Sequence, residues 1–156
     1  MKITLLAIGK KHDPKLQTAI EDYSKRLSHY CTLEWRLLEA KITASMSSSQ
    51  IIAQESATIL STIPEQSTVI LLDETGNLLG SIQLASKLQT YMSNGTKQLT
   101  IIIGGAFGVS DQIKQRADFT WSLSKLVFPH QLVRLILVEQ LYRAHTILAG
   151  EKYHHI

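Results

Sequence analysis

Three stretches of this chain carry residue types from which a ligand site could be built. They are LLDETG from Leu71, GGAFG from Gly104 and SLSKLVFPH from Ser122. Each follows an apolar or β-branched run that reads as a strand, and ligands of open α/β sheets sit outside the carboxyl ends of strands. The run TIIIGGAFGVS ends in a glycine elbow, which either brings main-chain groups close to a ligand or only turns the chain through positive φ. Asp73, beside Gly76, reads equally well as a solvated turn residue. GGAFG lacks the GxGxxG spacing that seats a pyrophosphate on a helix N-terminus, and it comes after the fourth strand rather than the first. The early loop GKKHDPK has one glycine and no phosphate-loop pattern, so dinucleotide and ATP sites fit poorly. No metal is expected either: His154 and His155 are adjacent, and no Cys or carboxylate stands at a familiar ligand spacing from a His.

The elements that must hold these loops alternate. Lys2 to Ile8 predicts a strand, and Asp13-Pro14 starts a helix with Asp as cap and Pro where its missing N–H costs nothing. Leu16, Ile20, Tyr23 and Leu27 give that helix one apolar stripe. Thr32 to Leu38 changes to a period of two. SMSSSQ, Ser45 to Gln50, supplies cap hydroxyls or a mobile loop before a helix carrying Ile51, Ile52, Ile59, Leu60 and Ile63, ended by Pro64. Thr68 to Leu72 is a strand apolar on both faces, followed by a helix from Ser81 to Met92. Leu99 to Ile103 is the next strand, Ser110 to Arg116 a short helix, Phe119 to Leu123 the last strand and Pro129 to Ala149 a long closing helix. The pattern predicts an α/β fold with a mainly parallel sheet flanked by helices, in one domain spanning 1–156.

Composition narrows the classes further. A chain of 156 residues with 44% hydrophobic residues has a core large enough to fold without staples. The single Cys31 excludes an internal disulfide and fits a reducing compartment. MKITLLAIGK reads as a strand rather than a signal peptide, and no stretch approaches the roughly 18 to 20 apolar residues of a membrane span. The expectation is a cytoplasmic protein with no membrane partner. A net charge of +3, spread along the chain, permits a polyanionic partner without demanding one.

The last helix is apolar around most of its circumference, through Leu132, Val133, Leu135, Ile136, Leu137 and Val138. Such a helix is either central to the monomer or covered by a second copy. A small sheet has little room for a central helix, so the pattern predicts a two-fold homodimer through this helix, with Arg134, Glu139 and Arg143 near the seam.

LLDETG, IIIGGAFG, SLSKLVFPHQLVRLILVEQLYRA and a terminal YHH, in this order, resemble the bacterial ribosomal RNA large-subunit methyltransferase H family of the SPOUT superfamily. The resemblance spans the whole chain, including its opening. It implies a C-terminal deep trefoil knot, which general folding rules would place nearly last among topologies. It implies S-adenosylmethionine as cofactor, a homodimer, and methylation of N3 of a pseudouridine in 23S rRNA, on the large subunit or the assembled ribosome. Carried over residue by residue, Leu72, Gly104, Gly105, Leu123, Ser124, Lys125, Leu126, Val127 and Phe128 would surround the cofactor. A Cβ at Gly104 or Gly105 should then obstruct it.

Methyl transfer from a sulfonium is an in-line displacement in which orientation contributes about 7–11 kcal/mol. The imide nitrogen must still lose its proton. The resemblance makes His154 the first choice of base, with Tyr153 stacking on the base or holding its carbonyl and Arg143 stabilising the anionic ring. Family members commonly end in Tyr-His and a basic residue; here His155 and Ile156 follow, which weakens a phosphate contact there. TASMSSS, 43–49, is short of charge, so Lys10, Lys11, Lys25 and Arg26 are expected to meet RNA. Two other classes stay open: a dinucleotide-dependent α/β enzyme, and a non-catalytic RNA-binding dimer without cofactor affinity.

Overall fold

The structure, a computed structural model, describes residues 1–154. Its elements are β1 Lys2–Ile8, α1 Pro14–Leu27, β2 Thr32–Leu38, α2 Ser48–Leu60, β3 Thr68–Leu78, α3 Ser81–Ser93, β4 Gln98–Ile103, α4 Asp111–Arg116, β5 Phe119–Ser122 and α5 His130–Leu148. All strand pairs are parallel, in the order β2-β1-β4-β3-β5. The α/β expectation with a parallel sheet flanked by helices is met. No helix among the described residues is long and apolar enough to cross a membrane.

Alternation along the strands divides the core. Ile3, Leu5 and Ala7 of β1 and Leu99, Ile101 and Ile103 of β4 face one layer, with α1, α3 and α5. Leu6, Val69, Leu71 and Ile102 face the other, with Ile59 of α2 and Ile113 of α4. Both faces are covered, which explains why the strands read as continuous apolar runs. Local chemistry starts the helices as anticipated. Asp13 accepts from the Lys15 N–H at 2.8 Å with Pro14 in the first turn, and Ser47 with Gln50 closes a capping box on α2.

Two of the boundaries that differ from the sequence reading bear on the site. β3 does not stop at Leu72 but runs on to Leu78, because its pairing with β5 resumes after a break: Leu72 and Asn77 both oppose Trp121. LLDETG is therefore a bulge within a strand rather than a free loop. Gly76 makes it feasible, since a Cβ there would lie 2.7 Å from the Thr120 carbonyl carbon. β5 ends one residue early, at Ser122, whose hydroxyl donates to the Ser124 carbonyl and bends the chain.

α5 packs on α1 and α3, burying Leu137, Val138, Leu141 and Ala144. Leu132, Ile136, Glu139 and Arg143 lie on its other side, only half buried, while Leu135 packs at the edge of the core. Arg134 is the polar exception inside, 1% exposed. Its Nη2 donates to the Ile8 carbonyl at 2.7 Å, and its Nη1 donates to the Lys11 carbonyl at 2.9 Å and to His12 Nδ1. Arginine has no acceptor, so His12 presents a bare Nδ1; desolvation first, and the Arg134 charge second, hold its imidazole below the usual range. α5 thereby fastens the β1–α1 turn.

Leu137→Ala should cost about 2–5 kcal/mol, because a fully buried leucine at a three-way contact leaves a cavity. Urea unfolding at fixed protein concentration measures it; a loss below 1 kcal/mol would mean α5 is not anchored through this face.

Candidate functional site

α3 leaves β3 on one face of the sheet while α4 leaves β4 on the other, so the turns after these adjacent strands part. The crevice between them, closed on one side by the 122–130 segment, is a cleft of about 390 Å³, within the usual range for small-molecule sites. Of the residues that the resemblance assigns to the cofactor, Leu72, Gly104, Gly105, Leu123, Ser124, Leu126, Val127 and Phe128 line this cleft, whereas Lys125 is exposed and does not. Ser124 shapes its segment by accepting from the Leu126 N–H at 2.9 Å. That turn leaves Leu126 and Val127 70% and 80% exposed, beside the half-exposed Phe107. A rim this apolar, around a cleft with main-chain groups at strand ends, suits a flat heterocycle.

Sequence reasoning left Trp121 out of the cleft. Its indole is 2% exposed and lines the wall, and its Nε1–H has no partner. Asp73 and Glu74 also reach the wall, Asp73 accepting from the Thr75 N–H at 2.9 Å.

The glycines have a different cause from the one expected. A Cβ on Gly104 would meet Val109 Cγ1 at 2.8 Å, and one on Gly105 would lie 1.8 Å from Glu55 Oε2. Both directions point into the protein. Positive φ is confined to Gly108, at 88°, within the elbow. The paired glycines thus make room for neighbouring side chains as well as lining the cleft. Behind them α2 presents Glu55 and Ser56, and Ser56 Oγ accepts from the Ser110 N–H at 2.9 Å. Glu55 was legible as a carboxyl on the apolar stripe of Ile52 and Ile59, and it passed unnoticed.

The residues assigned to catalysis gather elsewhere. Glu139 Oε1 accepts from Arg143 Nε at 3.0 Å and from the Tyr153 hydroxyl at 3.0 Å. The Tyr23 hydroxyl stands 3.2 Å from that of Tyr153, and because Tyr153 donates to the carboxylate, Tyr23 is the donor to Tyr153. Arg143 lies over the Tyr153 ring at 4.7 Å, and Tyr142 meets the same ring edge-on. Burial first, then the bonds to Tyr23 and Glu139, pushes the Tyr153 phenol well above its ordinary value. The hydrogen bond to Glu139 holds the Arg143 guanidinium more firmly charged. His154 Nδ1 is buried and has no partner among the described residues. His155 and Ile156 lie outside the described residues.

These two clusters do not meet. His130 and Val133 wall the cleft at the start of α5, and Arg143 stands thirteen residues along the same helix, about 20 Å away at the helical rise. The basic residues expected to meet RNA are all exposed. Lys10 pairs with Glu39 at 3.1 Å and Arg26 with Asp22 at 2.8 Å. Cys31 is no nucleophile, because burial raises its thiol to about 11.

Residues 1–154 match the family described as Predicted SPOUT methyltransferase. Among curated proteins, the chain is 39% identical to the ribosomal RNA large subunit methyltransferase H of Acetivibrio thermocellus, 43% to that of Flavobacterium johnsoniae and 44% to that of Bifidobacterium adolescentis, each covering 99% of both chains. Among solved structures, a probable methylase family protein from Haemophilus influenzae aligns with a TM-score of 0.50 at 12% identity, over 97% of this chain and 67% of that one. A putative methyltransferase from Legionella pneumophila, solved with bound SAM, aligns at 0.47 and 11%, over 90% of this chain and 65% of that one.

Gly105→Ala must push the Glu55 carboxyl aside, with an expected loss of about 1–3 kcal/mol in unfolding free energy. Shortening Glu55 to Ala in the same chain should recover most of it. A double-mutant cycle measures the coupling; additive losses would show that the contact imposes no constraint.

Proposed function

The chain belongs to the SPOUT methyltransferases, in the family of the ribosomal RNA large-subunit methyltransferase H proteins, and from that membership we propose that it methylates N3 of a pseudouridine in 23S rRNA. The methyl donor is S-adenosylmethionine, the substrate is the large ribosomal subunit or the assembled ribosome in the cytoplasm, and the working unit is a homodimer through α5. On this reading the chain is one domain, and its cofactor loops lie in the knotted segment the resemblance implies.

The observation that carries the dimeric site is the distance along α5. The cleft is at one end of a rigid helix and the Arg143–Glu139–Tyr153 cluster at the other. A methyl group and its acceptor must come within van der Waals contact, which a span of about 20 Å forbids inside one protomer. The half-buried strip of Leu132, Ile136, Glu139 and Arg143 is the surface a second copy would cover. A two-fold axis there brings the cluster of one protomer to the cleft of its partner.

The cleft fits the donor. Its apolar rim suits an adenine, and the unpartnered Nε1–H of Trp121 awaits an acceptor in the wall. When bound, the donor supplies an electrophilic methyl on a sulfonium. The protein's task is to align the acceptor and remove its proton.

Tyr153 is unsuited to that removal, because its raised phenol stays protonated; it serves as a donor and a stacking surface. Arg143, fixed by Glu139 and permanently charged, can offset the anion that develops on the uracil-like ring. His154 is left as the base, its Nδ1 uncommitted to any partner among the described residues.

Labelled S-adenosylmethionine with unmodified large subunits should yield one methylated pseudouridine, located by mass spectrometry of nuclease fragments. A methyl group at another base would refute the specificity. Sharing of the site between protomers has its own test: Leu126→Glu chains, altered at the cleft rim, and Arg143→Ala chains should each be inactive alone but regain roughly a quarter of wild-type activity when mixed, since half the dimers then hold one intact site. No recovery on mixing would place the whole site in one protomer.

A further inference from the structure

Glu55 sits in the middle of α2, 8% exposed, with its carboxyl against Gly105. Its Oε2 is buried and accepts no hydrogen bond. Among the described residues no lysine, arginine or histidine pairs with it, and desolvation is the sole influence on its acidity, raising it. A buried carboxyl with neither counter-ion nor donor is costly, and folded proteins seldom keep one without cause. The fold gives this one no structural repayment. Ser56, the next residue, already holds the glycine segment by accepting from the Ser110 N–H.

The location supplies the cause. Gly105 has Glu55 on the side where a Cβ would stand and also lines the cleft, so one glycine's thickness of main chain separates the carboxyl from the ligand space. Between the two lies no side chain of Gly105 to add distance, and Oε2 on that side is buried, where a charge is felt over several ångströms. A neutral or anionic occupant would leave the carboxyl as costly as before, whereas a cationic one would repay it.

We propose that Glu55 is the counter-charge for the cationic centre of the cofactor, a positioning residue that makes the cleft prefer the sulfonium donor over its neutral thioether product. This rests on the methyltransferase reading above. It assigns the cleft a charge preference that its lining alone does not provide. Such a preference acts against the product that each turnover leaves behind. It works through the main chain of Gly105 and needs no direct contact with the ligand.

The test is calorimetric titration of the full-length wild type, Glu55→Gln and Glu55→Asp with three probes. These are S-adenosylmethionine, S-adenosylhomocysteine, and sinefungin, whose ammonium replaces the sulfonium. Glu55→Gln keeps the shape and removes the charge. It should weaken S-adenosylmethionine and sinefungin about tenfold each and shift S-adenosylhomocysteine less than about twofold. Glu55→Asp, with the charge retained, should preserve most of the preference and covers the case in which Glu55→Gln folds poorly, as judged by its melting temperature. Equal weakening of all three probes by Glu55→Gln would overturn the proposal, since the carboxyl would then only shape the glycine segment. Unchanged binding of all three would overturn it as well. A wild type that binds none of the probes would remove the methyltransferase reading and this proposal together, whereas a wild type that binds them without any charge preference removes the proposal alone.

Discussion

One helix sets the terms for the rest of the molecule. α5 is nineteen residues long and its backbone cannot be shortened, so whatever its two ends carry is held about 28 Å apart. Its first turn walls the cleft and its last turns carry Arg143 and, through Glu139, Tyr153. The helix is locked lengthwise by Leu137, Val138, Leu141 and Ala144 in the core. Its position across the sheet is fixed by Arg134, whose guanidinium is spent on main-chain carbonyls of the β1–α1 turn. Sliding α5 to bring its ends together would break every one of these contacts at once.

Arg134 shows how far such a lock extends. A buried guanidinium without a carboxylate is held by two carbonyl dipoles and the His12 ring nitrogen, and its Nε has no acceptor among the described residues. Removing the side chain would leave the Ile8 and Lys11 carbonyls unpaired beneath a helix, so the penalty falls on the β1–α1 turn as well as on α5. The same turn carries the exposed Lys10 and Lys11, and His12 packs edge-on against Trp35 of β2. A surface for a polyanion is thereby tied to the helix that spans the site, through hydrogen bonds with no slack.

What the sequence disclosed follows from which forces are local. Strand runs such as TIII at Thr100 and the Asp13-Pro14 start depend on neighbours a few residues away, and both appear as read. The bulge at LLDETG was hidden because it is fixed by the approach of Gly76 to the Thr120 main chain, a contact made across the sheet. The reason for Gly105 was hidden for the same cause. A glycine at a strand end signals missing space, but only the packing of α2 reveals that Glu55 takes it. The cleft residues were legible because a parallel sheet brings the ends of β3, β4 and β5 to one edge; that Lys125 points away depends on a turn closed by Ser122 and Ser124. The separation of the cleft from Arg143 was implicit in the helix length from the start, and counting residues along α5 was enough to find it.

Charge also separates the function classes the sequence left open. A dinucleotide brings two phosphates, and this cleft offers them little: its wall carries Asp73 and Glu74, with the buried Glu55 behind the glycines. Lys125, the cation nearest in sequence, turns outward. Polyanion-friendly groups lie instead on the outer surface, at Lys10, Lys11 and Lys25. A pure RNA-binding dimer would have no use for a small-molecule cleft whose wall carries Asp73 and Glu74.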